Sequence, residues 1–304
     1  MYHYWGSGLT ITSEIEFPEL LPYEHTGLPD LTISIGTVPN QLAGVATDKK
    51  VCTASNPTEY LLKLLSIANY YASGGNSIIV EPLAAADDKS IRLFLLNSVM
   101  AAILKQRDMV ALNASAIQYQ DGVILFSGRT NVGKSTIISQ LKQKGYGIFC
   151  DEACILQTGV DGQIRVLPSY PAVNLWADTF EQLAEPLPPE ADKLRPQLPK
   201  YALRYHQDFN IMPKPVKQLF LLNDLAINMP VEIKKLSPVE AFSEAHNNIF
   251  YRQQIYPMKK EAVHFLNLSK LTKDIPACLI TRTIYRDTFE EMVQVIENQI
   301  HYNG

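Results

Sequence analysis

Apolar and polar side chains alternate from Gly8 to Ile15 and again from Leu31 to Ile35, which predicts two half-buried strands. Glycine and proline punctuate the chain between them. Asn56-Pro57-Thr58-Glu59 then carries the marks of a helix opening: Asn as N-cap, Pro at the first position, Glu at the third. Leu61, Leu64, Leu65, Ala68 and Tyr71 follow on one stripe, so the pattern predicts a helix over 60–71, closed by Gly74-Gly75. Ser77 to Glu81 reads as a short strand. Residues 1–85 are therefore expected to form a small α+β module packed on the remainder, residues 86–304.

The remainder alternates helices and strands. Ile91 to Arg107 is apolar nearly all round, which predicts a largely buried helix. Ala111 to Tyr119 and Gly122 to Ser127 predict a hairpin across Asp121-Gly122. Thr136 to Lys144 reads as a helix stopped by Gly145, and Tyr146 to Cys150 as a strand ending in Asp151-Glu152. A second hairpin is expected over 153–157 and 163–167, then a short helix over 175–183. The proline- and charge-rich stretch 185–201 reads as a loop, either a lid or a passive connection. Lys200 and Arg204 within this loop, which extends to about 205, are expected either to touch phosphate or to be solvated. Val216 to Leu222 is a strand ending at Asp224, Ser237-Pro238-Val239-Glu240 a capping box, 258–270 a helix, 277–281 a strand, and 287–300 an amphipathic closing helix.

Within this frame one stretch carries chemistry. Gly128-Arg129-Thr130-Asn131-Val132-Gly133-Lys134-Ser135 fits G-x-x-x-x-G-K-[ST], between a predicted buried strand and a predicted helix opened by Thr136. Glycines let backbone N–H groups close around an anion, and a helix N-terminus adds its positive dipole end. Lys134 would reach the outer phosphates and the Ser135 hydroxyl would sit on Mg²⁺. Asp151 and Glu152, at the carboxyl end of a nearby strand, stand where an α/β sheet supports a Mg²⁺-nucleotide. Asp224 is a rival for that acid, and Asp151 is preferred.

Composition narrows the partners. The 304 residues are 46% hydrophobic and 19% charged, an ordinary globular mixture. A net charge of −4 argues against a nucleic-acid binder. No run is apolar enough to span a membrane, and Met1-Tyr2-His3-Tyr4-Trp5 lacks the features of a signal peptide. Cys52, Cys150, Cys154 and Cys278 read as free buried thiols in a reducing cytoplasm, and His206, His246, His264 and His301 have no ligand spacing.

Ala111 to Ile117, Gly122 to Thr136 and Gly145-Tyr146 through Asp151-Glu152 together resemble the HPr kinase/phosphorylase family. The resemblance is nearer to the HPr-kinase-like enzymes that modify lasso-peptide precursors. Pro168-Ser169-Tyr170-Pro171, Leu175-Trp176, Pro199-Lys200-Tyr201 and the opening Gly6 to Leu20 look like that subgroup too. The resemblance implies a phosphoenolpyruvate-carboxykinase-like P-loop kinase core of α/β class. It implies transfer of the γ-phosphate of ATP, with Mg²⁺, to a serine of a ribosomal precursor peptide or small protein. Gly128, Arg129, Thr130, Asn131, Val132, Gly133, Lys134, Ser135 and Thr136 would hold the nucleotide. Asp151 would take the serine proton, and Ser135, Glu152 and Asp151 would serve the metal. A homo-oligomer fits this expectation. The chain departs from the family at Asn113, where the family commonly has His, and at Arg129-Thr130-Asn131, where it usually has a Ser-Gly type. A nucleotide-binding sensor or scaffold and a carrier-protein kinase/phosphorylase are the alternatives.

Overall fold

The computed structural model describes residues 1–303 as a mixed α/β chain with three sheets. The first sheet has nine strands, all from Tyr2 to Pro82. Its centre is parallel: Leu9–Ser13 pairs with Leu31–Ile35, which pairs with Ser77–Pro82. Leu9, Ile11, Leu31 and Ile33 point to the buried face, as alternation requires.

The helix expected over 60–71 does not form. Thr53–Asn56, Glu59–Lys63 and Ala68–Ser73 are successive antiparallel strands. The apparent helix opening is a turn. The Asn56 side-chain carbonyl accepts from the Thr58 N–H at 3.0 Å and the Glu59 N–H at 2.8 Å. The Glu59 carboxylate reaches the N–H groups of Ala43 and Gly44, both at 2.8 Å, instead of turning back on a cap. The stripe misleads because the strand is apolar on both faces. Tyr60 and Leu62 enter the main core, while Leu61 enters a separate cluster with Val38, Leu42 and Ala54. Gly74 and Gly75, both at positive φ, close the next hairpin instead of ending a helix.

Residue 85, where the sequence reading divides the chain, lies in the connection to a helical stretch. That stretch runs Asp88–Phe94, a π-helical turn Leu95–Val99, and Met100–Gln106. Ile91 to Leu104 contribute to one cluster with Tyr70 and Ala72 of the first sheet and with Ala111 and Ile155 of the second. Contact on both sides is the reason for its apolar circumference.

The second sheet positions the site. Val110–Tyr119 and Gly122–Gly128 form the expected hairpin, with Tyr119 opposite Gly122. Gly122–Gly128 also pairs in parallel with Lys214–Leu225, which pairs in parallel with Ala277–Thr283. The motif strand is thus flanked on both edges, and every residue from 122 to 128 is buried. The hairpin Ala153–Thr158 with Ile164–Leu167, the capping box at Ser237 and the closing helix Phe289–Asn303 follow the expected pattern. The proline-rich stretch is not a plain loop. Lys193–Arg195 and Leu198–Arg204 build a small sheet with Ala172–Trp176, and the short helix is Ala177–Gln182. No helix among the described residues is long and apolar enough to cross a membrane.

Candidate active site

The motif closes into a loop between Gly122–Gly128 and the helix Lys134–Gln143. Its two glycines are needed for different reasons. A Cβ on Gly128 would come within 2.9 Å of the Leu222 carbonyl oxygen. Gly133 has φ 103°, and a Cβ there would lie 2.3 Å from the Phe289 ring. Asn131 also adopts a left-handed backbone (φ 69°), which Asn tolerates better than most residues. Its side-chain oxygen accepts from the Trp176 indole N–H at 3.2 Å.

Lys134 is buried. Its ammonium donates to the carbonyls of Gly128 (2.8 Å) and Arg129 (3.0 Å). Burial pushes the amine down to about 8, while the charges of Asp151 and Glu152 pull the other way. A desolvated cation held on carbonyls can exchange those partners for phosphate oxygens without moving through bulk water.

The Ser135 hydroxyl donates to both oxygens of Asp151, at 3.0 and 2.9 Å. Asp151 also accepts from the Ser115 hydroxyl and from the Asn174 N–H at 3.1 Å, and it is 1% exposed. Glu152 has a left-handed backbone (φ 71°), a conformation a non-glycine residue adopts only where its surroundings hold it there. One Glu152 oxygen accepts from the Asn174 amide at 3.0 Å, and the side chain is half-buried. The peptide between the acids is fixed, since the Asp151 carbonyl accepts from the Ser169 hydroxyl at 2.8 Å and the Ala153 N–H at 2.9 Å.

Asn113 does not orient Asp151. Its amide donates to Thr130 Oγ1 at 3.4 Å, and Ser115 holds the carboxylate in its place. Ser115 and Asn174 escaped the sequence reading. The available signal was a polar residue two positions from Asn113, hence on the same strand face, and another inside the apolar run Ala172–Trp176. Asp224 is committed elsewhere: Arg129 donates to it through Nε at 2.9 Å and through a second guanidinium nitrogen. Behind the acid turn, the buried Cys150 and Cys154 sulfurs lie 3.2 Å apart as free thiols, and Cys278 is buried as expected. Cys52, by contrast, is exposed, because it lies in a surface turn.

Two cavities meet here. The first, about 330 Å³, runs from Lys134, Ser135 and Glu152 past Trp176 and Thr179 to Arg282 and Phe289. Lys200 lies over the Trp176 ring at 5.8 Å, so the segment read as lid or connection does reach this cleft. The second, about 720 Å³, lies between the acid turn and a strap from His246 to Tyr256. Both are lined by Asn113, Thr130 and Glu152. The strap is pinned to the sheet: Phe250 N–H donates to Ala111 O at 2.9 Å, and Asn113 N–H donates to Asn248 O at 2.7 Å. The buried Lys105 ammonium donates to Phe250 O at 2.8 Å, and the Gln254 amide donates to Ser98 O at 3.0 Å.

Among the described residues no cluster of three or more His, Cys, Asp or Glu could hold a metal alone. The donor set at Ser135 and Asp151 is nonetheless hard oxygen. Mg²⁺ usually binds one or two carboxylates and takes its other ligands from water and substrate phosphates.

No protein-family model matches the chain, and no curated protein matches it. Among solved structures the chain is similar to an Hpr(Ser) kinase/phosphatase from Coxiella burnetii. The two are 11% identical with a TM-score of 0.34, and the match covers 63% of this chain and 91% of that one.

Proposed function

We propose that the protein is an ATP- and Mg²⁺-dependent phosphotransferase that acts on a serine hydroxyl of a peptide. The observation that carries this reading is the Ser135 hydroxyl seated on the Asp151 carboxylate beside the buried Lys134, all lining one cleft. Loop N–H groups from Arg129 to Ser135 and the N-terminus of the helix Lys134–Gln143 would hold the phosphates, with Lys134 on the outer ones. Thr136, buried one position further, would complete the helix opening. Ser135 and Asp151 would hold Mg²⁺, which neutralises charge on the transferred group.

Ser115, and not Asn113, holds Asp151. The Asn at position 113 therefore does not leave Asp151 unheld. The motif resemblance points to a ribosomal precursor peptide of the lasso type as the acceptor. The test is mass spectrometry of the protein with Mg²⁺-ATP and serine-containing peptides. Phosphoserine product is expected, and tight ATP binding without transfer to any peptide would leave the binding module as the better account.

A further inference from the structure

Neighbouring acids in one turn invite the same role, yet the turn separates them. A general base must come within hydrogen-bond reach of the proton it takes, about 2.6–3.2 Å between heavy atoms. Asp151 touches the first cavity with only 1% of its surface exposed, and two hydroxyls and one N–H already occupy its oxygens. Glu152 has the opposite situation. It lines both cavities, the Asn174 amide steadies one of its oxygens, and the other makes no hydrogen bond among the described residues.

The second cavity has the size of a small-ligand site, in the usual range of ~300–1,000 Å³. That is room for one acceptor residue and its close neighbours on an extended chain. Its lining is rich in carboxamides: Asn97, Asn113, Asn247 and Gln253. Each offers a donor and an acceptor, as a peptide main chain does. The four strap anchors hold this lining in place before any ligand arrives.

Resting on the phosphotransferase reading above, we propose that the cavity between the acid turn and the strap receives the acceptor peptide, and that Glu152, not Asp151, is the base. In the transfer step Glu152 accepts the serine hydroxyl proton while the hydroxyl oxygen bonds to the terminal phosphorus. The bond from phosphorus to the bridging oxygen breaks, its electron pair leaves with ADP, and the proton passes from Glu152 to solvent. Asp151 stays with Ser135 and serves the metal.

The test uses the full chain, Mg²⁺-ATP and a degenerate library of pentapeptides with serine fixed at the centre. Phosphopeptides are read by mass spectrometry, and nucleotide binding by the ATP-induced melting shift with Mg²⁺ or EDTA. Glu152→Gln should keep the Mg²⁺-dependent shift and lose transfer by ~10²–10⁴, the usual loss with a general base. Asp151→Asn should lose the difference between Mg²⁺ and EDTA. Asn247→Trp, at an exposed position on the cavity wall, should keep the ATP shift and raise the peptide concentration for half-saturation at least roughly tenfold, an amount equal to one well-made contact. Transfer by Glu152→Gln within a few-fold of the original chain overturns the base assignment, and ordinary peptide saturation in Asn247→Trp overturns the cavity assignment. If the unmodified chain phosphorylates no peptide, the peptide-kinase reading fails and the cavity assignment falls with it. Phosphate release to water then decides on Glu152: an unchanged rate in Glu152→Gln overturns its role, and a rate lowered at least a hundredfold upholds it.

Discussion

The cleft at the G-x-x-x-x-G-K-S loop and the cavity beside it share Asn113, Thr130 and Glu152 but are built by different means. The floor of the cleft is local: its loop, its cation and its hydroxyl come from consecutive residues, with Asp151 the nearest addition, and only its walls at Trp176, Arg282 and Phe289 come from later in the chain. The cavity is assembled from afar. Its strap is tied by Lys105 across 145 residues of sequence and by Gln254 to Ser98 across 156. The difference teaches that, for the proposed reaction, the invariant half, the triphosphate, would be met by a compact motif. The variable half needs a wall whose anchors can change without disturbing the loop.

Lys134→Ala breaks the cleft side most sharply. It removes a charged hydrogen-bond donor from the phosphates, worth about 1.5–3 kcal/mol, so calorimetry should find ATP binding weakened roughly tenfold to a hundredfold or more. Equal affinity in both proteins would remove the cleft's assignment.

Lys105→Met strikes the cavity side. Burial pushes the Lys105 amine down to about 7 in the folded chain, whereas the unfolded chain holds its proton up to the ordinary lysine value near 10.5. Between those values the unfolded state binds more protons, so this residue makes stability rise with pH, by up to ~1.4 kcal/mol per pH unit. Denaturant melts at pH 7 to 9 should show that rise in the original chain and its loss in Lys105→Met. ATP affinity should be unchanged in the variant, and a weakened affinity would mean that the two halves are coupled.

A subtler measurement sharpens the cleft's electrostatics. With the Lys134 amine at about 8, part of the population is neutral at pH 8.5. Arriving phosphates favour the charged form, so ATP binding at pH 8.5 should take up a fraction of a proton, and at pH 6.5 none through this group. Calorimetry in buffers of differing ionisation enthalpy reads this directly. The smallest effect is expected for Asp224→Asn. Asp224 is 9% exposed, but solvent reaches the 66% exposed Arg129 and screens the pair, so a loss of about 1 kcal/mol is expected. The Mg²⁺ dependence of the ATP shift should survive, and its loss would return Asp224 to the metal site.

What the chain reveals by reading follows the same division. Strand, loop, lysine, serine and the acid turn were all legible, because neighbours in sequence create them. Ser115 and Asn174 were not, since their importance lies in facing Asp151 from other strands. The strap was read only as the space between two helices, for its role depends on Lys105 and Ala111. The missed strands over 59–73 have a different cause. Apolar residues on both faces of Glu59–Lys63 erase the period that separates strand from helix, and Asn56 plays turn and cap with the same chemistry.

The Phe289 ring stands where any side chain at position 133 would have to go. It begins the last helix of the chain, and the strand before it reaches the motif strand only through Lys214–Leu225. During synthesis the loop leaves the ribosome long before its roof does. A chain cut before Phe289 would therefore carry the full motif with this wall of the cleft missing.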